Sequence, residues 1–315
     1  MKKDIVKAII AVILIVAISI GLANLFGDDD VQMLNGSGVA ADEAVVRYKY
    51  VNLRSTPDVD SKTNIIGQLN FGDVVKVLDE KRENDFIKVK SNLGTGYIIY
   101  KSICDDIIMF DISDFNWGSE YSSIEEFKNF TKTAIANTKF GGYYIQVQRT
   151  FYENKHWSEI TAALDEMEVP YGLYLYSNAN TVDGAKAEYE NFKKLIKKAD
   201  LKYCKFPFMV DLEKNTDQSK VLEYYNSVLN DYIVYSGAAK LVSYGYYKEA
   251  PCYWVAHYGV ENALPYQSYT EYGDAFKKLT DAKLWQFTED GNQALFGTKH
   301  LDVNIVSMDW YQKYA

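Results

Sequence analysis

Residues Pro207 to Glu213 form an apolar run that ends in two carboxylates one residue apart, Asp211 and Glu213. Side chains alternate along an extended strand, so these two acids share one face and Leu212 takes the other. Carboxylates aligned at the end of a buried strand carry a desolvation cost unless they are paired or put to use. Glycoside hydrolysis uses such groups, because the leaving oxygen needs a proton and the developing cation needs a negative partner. The same Asp-x-Glu pattern also ends many surface strands. Its meaning therefore depends on what converges on it.

The elements that would position this pair run from about residue 106 onward. Apolar strand-like stretches fall at 107–113, 143–148, 171–176, 206–213, 232–235, 252–258, 284–287 and 301–306, with amphipathic stretches at 123–137, 155–167 and 183–199 between several of them. Repeated strand-then-helix order with near-continuous apolar strands argues for a parallel sheet, and this many strands argue for a closed barrel. The last helices are short or missing, so the expected class is α/β with an irregular (β/α) TIM-like barrel. In such barrels the working residues sit at the C-terminal strand ends. Those ends hold Asp111 and Ser113, Tyr174 and Tyr176, Asp211 and Glu213, His257 and Tyr258, Trp285 and Gln286, and Asp302 and Asn304. Four acids from three strands would meet at one mouth.

The rest of the chain says where such a site would work. A net charge of −9 leaves no basic face for nucleic acid. Lys2, Lys3 and Lys7 precede an apolar run from Ala8 to Phe26, and Asp28, Asp29 and Asp30 follow it. As a helix the run spans roughly 28 Å, enough for a bilayer core, with the positive end inside. Residues 1–26 are expected to be an N-terminal transmembrane anchor, the alternative being a signal segment cleaved near Gly21-Leu22-Ala23; both place the bulk outside the cell. The polar, turn-rich stretch 27–44 reads as a flexible linker. The odd, widely spaced Cys104, Cys204 and Cys252 imply no disulfide framework. With the scattered histidines they show no metal-ligand spacing, and hydrolysis by water needs neither metal nor cofactor.

From Val45 the pattern turns to short alternating runs broken by turn signals, an all-β signature. Asn52-Leu53-Arg54-Ser55-Thr56-Pro57, Ile65-Ile66-Gly67-Gln68-Leu69, Phe71-Gly72-Asp73-Val74, Phe86-Ile87-Lys88-Val89 and Gly94-Thr95-Gly96-Tyr97-Ile98 together resemble a bacterial SH3 domain over 45–103. Phe86 stands where that family often has tryptophan, and Gly94 and Gly96 suit positive φ. The resemblance implies a small barrel that binds wall peptide or cross-bridge.

Over 104–315 the order Phe110-Asp111-Ile112-Ser113, Tyr171 to Tyr176, Phe208 to Glu213, Tyr253 to Tyr258, Leu284-Trp285-Gln286-Phe287 and Leu301-Asp302-Val303-Asn304 resembles the family 25 glycoside hydrolases, the Chalaropsis-type lysozymes. That resemblance implies a muramidase cutting the β-1,4 bond after N-acetylmuramic acid in peptidoglycan glycan strands. It implies Glu213 as general acid and Asp211 stabilising the oxocarbenium-like centre or orienting the acetamido group. Asp111 and Asp302 complete an acidic floor, and Tyr174, Tyr176, Trp285, Gln286, His257 and Tyr258 line the cleft. One departure stands out: the family ends strand two with a basic residue, two small residues and a glutamate, whereas this chain has Gln146-Val147-Gln148-Arg149-Thr150. That acid-free end supports a rival expectation, a non-catalytic membrane-tethered peptidoglycan-binding protein. A glycosidase of other wall-glycan specificity is a third.

Overall fold

The computed structural model describes residues 42–46, 50–59, 61–70, 73–104, 107–137, 139–258, 278–279, 281–289 and 301–315. The segment expected to anchor the chain, most of the linker, Phe71, Gly72 and His300 lie outside the described residues. Among the described residues no helix is long and apolar enough to cross a membrane.

The first unit is an antiparallel sheet of β1 (Glu43–Val46), β2 (Val51–Arg54), β3 (Ile65–Leu69), β4 (Val74–Glu83), β5 (Phe86–Ser91), β6 (Gly94–Ile99) and β7 (Ile103–Cys104), in the order β3-β2-β6-β5-β4-β1-β7. Alternation sends Val46, Leu53, Leu69, Val75, Val89 and Ile98 into a core of its own. Phe86 is buried, as its replacement of a larger aromatic requires. Gly94 has φ +118, which only glycine adopts without strain. Gly96 needs its missing side chain for a different reason: a Cβ there would sit 2.5 Å from the Arg54 carbonyl oxygen of the crossing strand.

The second unit is a closed eight-stranded barrel. Its staves are β8 (Ile107–Ile112), β9 (Phe140–Arg149), β11 (Tyr171–Tyr176), β12 (Met209–Asp211), β13 (Ile233–Gly237), β14 (Cys252–Ala256), β15 (Leu284–Thr288) and β16 (Asp302–Val306). The short β10 (Tyr152–Glu153) folds back on β9 as a hairpin. Outside pack α1 (Ile124–Asn137), α2 (Trp157–Glu166), α3 (Val182–Ile196), α4 (Ser219–Val228), α5 (Ala238–Ser243) and α6 (Tyr246–Glu249); α7 (Met308–Tyr314) closes the described chain.

The period of two divides the barrel residues cleanly. Ile108, Phe110, Leu173, Val210, Leu212, Val255 and Val303 face out and form one core with the helices. Ile107, Met109, Tyr174, Met209, Tyr235, Trp254 and Leu284 face in and form another. Trp310 and Tyr311 of α7 join that inner core and pack against Phe206, plugging the end away from the strand C-termini.

The expectation of an all-parallel sheet is corrected at the last stave. β16 runs antiparallel to both β15 and β8. With no parallel crossover after β15, β16 presents its beginning at the mouth, which is why Asp302 opens the strand rather than ends it.

Candidate active site

At the mouth the inward-facing row changes from apolar to acidic. β8 runs Ile107, Met109, Asp111 up the lumen, and β12 runs Met209, Asp211 and, two residues on, Glu213. Leu212 between the two acids is buried in the outer core, so the alternation continues past the formal end of the strand. Asp111 and Asp302 are Cα partners across the β8–β16 ladder. All four carboxyl groups line one cavity of ≈ 270 Å³, together with Ser113, Gln146, Tyr174, Tyr176, Tyr235 and Arg149.

Burial dominates the electrostatics. It raises Asp111 to about 6, opposed by hydrogen bonds from the Asn304 and Gln286 amides. It pushes Asp302 well above the carboxylate range, with the neighbouring Asp111 charge adding to the rise. The two side chains hydrogen-bond one another, which requires a proton between them. Asn304 Nδ2 and Gln286 Nε2 each donate to Asp111 Oδ2 at 2.9 Å. Those donors favour the charged form of Asp111, so Asp302 carries the shared proton.

Asp211 is pushed well above the usual range by burial and then by the charge of Glu213. Its Oδ1 is buried and has no hydrogen-bond partner among the described residues. A buried carboxyl oxygen left open in this way is costly unless a ligand group completes it. Glu213 is half-buried, and burial raises it too, but Lys240 and Arg149 act in the opposite direction. The Lys240 ammonium also donates to the Glu213 carbonyl oxygen, holding the backbone beyond β12 where it would otherwise be free.

The remaining expected residues separate into four positions. Tyr174 and Tyr176 stand in the cavity wall. Gln286 and Tyr258 stand behind the acids: Gln286 Oε1 accepts from Tyr235 Oη at 2.7 Å and from Tyr258 Oη, which leaves its amide nitrogen for Asp111. Trp285 is a correction. It alternates with Gln286, faces outward, and is fully buried in the core beneath the helices, with Nε1 donating to the His257 carbonyl. His257 lies outside the cavity lining, its backbone N–H bonded to Gln286 O and its imidazole lowered by burial.

Sequence reasoning passed over Tyr235 and Phe115. Tyr235 sits at the inward position one residue before Ser236 on β13, a site readable from the strand period. Phe115 belongs to a short turn capped by Ser113, whose Oγ accepts from Phe115 N, and no spacing rule marks it. The acid-free end of β9 also resolves into parts. A register shift beside Tyr174 leaves Val147 as the extra residue. Gln146 consequently faces the cavity, and Gln148 turns away to bond the Glu188 carbonyl at 2.8 Å and Asn191 at 2.9 Å on α3. Arg149 comes back to the mouth beside its Cα partner Tyr176.

A second cavity, ≈ 700 Å³, lies on the first unit between Pro57, Asp58 and Val59 and the β4–β5 turn. Asn84 and Asp85 take positive φ there, and Arg82 stacks 3.4 Å from the Tyr100 ring centroid. Cys204 and Cys252 are free thiols, each pushed up to about 12 by burial.

Comparison with known proteins identifies both units. Residues 49–103 match the bacterial SH3 domain model and residues 111–294 match the glycosyl hydrolases family 25 model. Among solved structures, a glycosyl hydrolase 25 of Streptococcus pneumoniae is similar at TM-score 0.50 and 16% identity, over 64% of this chain and 87% of that one. The catalytic domain of an endolysin from a Listeria monocytogenes bacteriophage is similar at 0.49 and 18%, over 66% and 96%. A modular autolysin from Streptococcus pneumoniae is similar at 0.47 and 18%, over 74% and 59%. No curated protein matches the sequence.

Proposed function

The chain belongs to glycosyl hydrolase family 25, and on that premise we propose that it is an N-acetylmuramidase, hydrolysing the β-1,4 bond between N-acetylmuramic acid and N-acetylglucosamine in peptidoglycan. The observation that carries this reading is the unpartnered Asp211 Oδ1 beside a half-buried Glu213 in a cavity walled by carboxyl groups. Glu213 gives its proton to the glycosidic oxygen as the bond to the anomeric carbon breaks. A raised pKa keeps that proton in place until attack. Asp211 takes the N–H of the substrate's 2-acetamido group on its open oxygen and faces the positive charge that develops. Such a donor favours the charged form of Asp211. Asp111 and Asp302 hold sugar hydroxyls or water from below, with Gln286 and Tyr258 fixing Asp111. Tyr174 and Tyr176 offer aromatic wall to the sugar rings.

Residues 104–315 form the catalytic domain in this reading and 45–103 the wall-binding domain, with the ≈ 700 Å³ groove as the surface offered to wall peptide or cross-bridge. Segment 1–26 anchors the protein in the cell membrane as a single pass, 27–44 is the tether, and both domains lie outside.

Digestion of purified peptidoglycan tests the activity. New reducing ends on muramic acid, read by mass spectrometry after borohydride reduction, are expected from the protein as it stands. Glu213→Gln should slow their appearance by about 10²–10⁴-fold while glycan binding persists. Reducing ends on glucosamine would instead mark a glucosaminidase. Tight binding with no new ends would leave the non-catalytic receptor, the reading that Arg149 at the end of β9 supports.

A further inference from the structure

The cavity that holds four carboxyl groups has one cation in its lining among the described residues, Arg149. Its guanidinium lies 5.0 Å from the Tyr176 ring centroid and 5.6 Å from that of Phe115, bracketed by two aromatic groups of the cleft. It is solvent-exposed, and among the described residues it forms no ion pair. Stacking on the rings and a side-chain hydrogen bond with Tyr176 engage part of the group, and its planar fork of N–H donors keeps others for a ligand.

The backbone is built to hold it there. Thr150, the next residue, has φ +57, an unusual conformation for a β-branched side chain. Three hydrogen bonds secure that turn: Thr150 N to Tyr176 O at 2.8 Å, Gln148 Nε2 to Thr150 O at 2.7 Å, and Asn178 Nδ2 to Thr150 Oγ1 at 2.6 Å. Strain kept in place by surrounding bonds beside a cleft is a mark of a positioned group.

We propose that Arg149 is a specificity determinant that receives, through a bidentate contact, a carboxylate carried on the 3-O-lactyl arm of the muramyl residue. This rests on the muramidase reading. A ligand carboxylate entering a cleft of acids is repelled unless a fixed cation meets it, and a planar fork meets a carboxylate best. Two sources share this chemistry: the lactyl carboxylate of a peptide-free strand, and a carboxylate of an attached stem peptide.

The test measures binding calorimetrically on the full chain carrying Glu213→Gln, with and without Arg149→Met. Three ligands of equal length are compared: a peptide-free muramyl glycan, the same glycan bearing stem peptides, and a chito-oligosaccharide with no lactyl arm. The ratio of affinities, muramyl over chito-oligosaccharide, is expected to fall tenfold or more in the Arg149→Met protein. The salt dependence of muramyl binding should flatten with it. Whichever muramyl ligand shows the larger fall identifies the source of the carboxylate. Arg149→Lys, which keeps the charge without the fork, should restore only part of the ratio. A ratio that does not change, or affinities for all three ligands that fall together, overturns the assignment. Absence of binding to every glycan by the Glu213→Gln protein overturns the muramidase reading itself.

Discussion

The acids at the mouth are held at a cost that pH reveals. A carboxyl group whose folded pKa lies above its unfolded one binds more protons in the native state, so stability falls as pH rises through that window. Asp111 rises from 3.8 to about 6, a shift equivalent to about 3 kcal/mol of native stability present below pH 4 and lost by pH 8. Asp302, pushed up further by burial and by Asp111, adds a loss of the same sign at higher pH. Asp302→Asn keeps an N–H donor for Asp111 and removes one titrating group. Urea denaturation should therefore find the variant indistinguishable from the parent at pH 4 and more stable at pH 8, by about 1–3 kcal/mol. Equal pH slopes for the two proteins would contradict the shared-proton pair. The same logic reaches Glu213, whose pKa Arg149 holds down. Removing that cation with Arg149→Met should move the alkaline limb of kcat to higher pH, measured on a soluble muramyl oligosaccharide.

The strands place these groups through close backbone contacts that glycine makes possible. Gly142 on β9 has φ +126, and a Cβ there would lie 2.1 Å from the Pro170 carbonyl oxygen. Both the conformation and the contact exclude alanine. Gly142→Ala should destabilise the barrel by about 3 kcal/mol or more, seen as a lower urea midpoint with an unchanged slope. The hydrophobic period made most of the barrel readable from sequence, since β11 and the outer helices follow it closely. It also set Asp211 and Glu213 on one face. Three things escaped it, each for a physical reason. The reversal of β16 escaped because an apolar strand reads alike in either direction. The register shift at Val147 adds one residue to β9, and a period of two carries no warning of the slip. The family resemblance implies both Trp285 and Gln286 at the cleft, yet neighbours on a strand take opposite faces, and Trp285 is buried in the outer core.

The two units each bury their own core, one set by Val46, Leu53 and Ile98 and the other by the barrel and its helices. They meet through at least one contact, Lys139 Nζ donating to the Glu43 carbonyl oxygen at 3.0 Å. Separate cores imply separable roles. A fragment beginning at residue 104 should keep its rate on soluble muramyl oligosaccharides. On intact sacculi it should lose about 10-fold or more, because a wall-bound module raises the local substrate concentration. A turbidity assay beside a reducing-end assay would separate the two, and equal losses on both substrates would mean that the first unit supports the fold of the second. The antiparallel last stave has a topological consequence as well. Ile107, where the chain enters the barrel, and Val306, near where it leaves, are Cα partners on the closed side, opposite the acids. The barrel is thus close to a ring with its seam on the floor. A circular permutant that joins the seam through a short linker and opens in an outer loop should retain the same lumen, because no lumen contact depends on where that ring is cut.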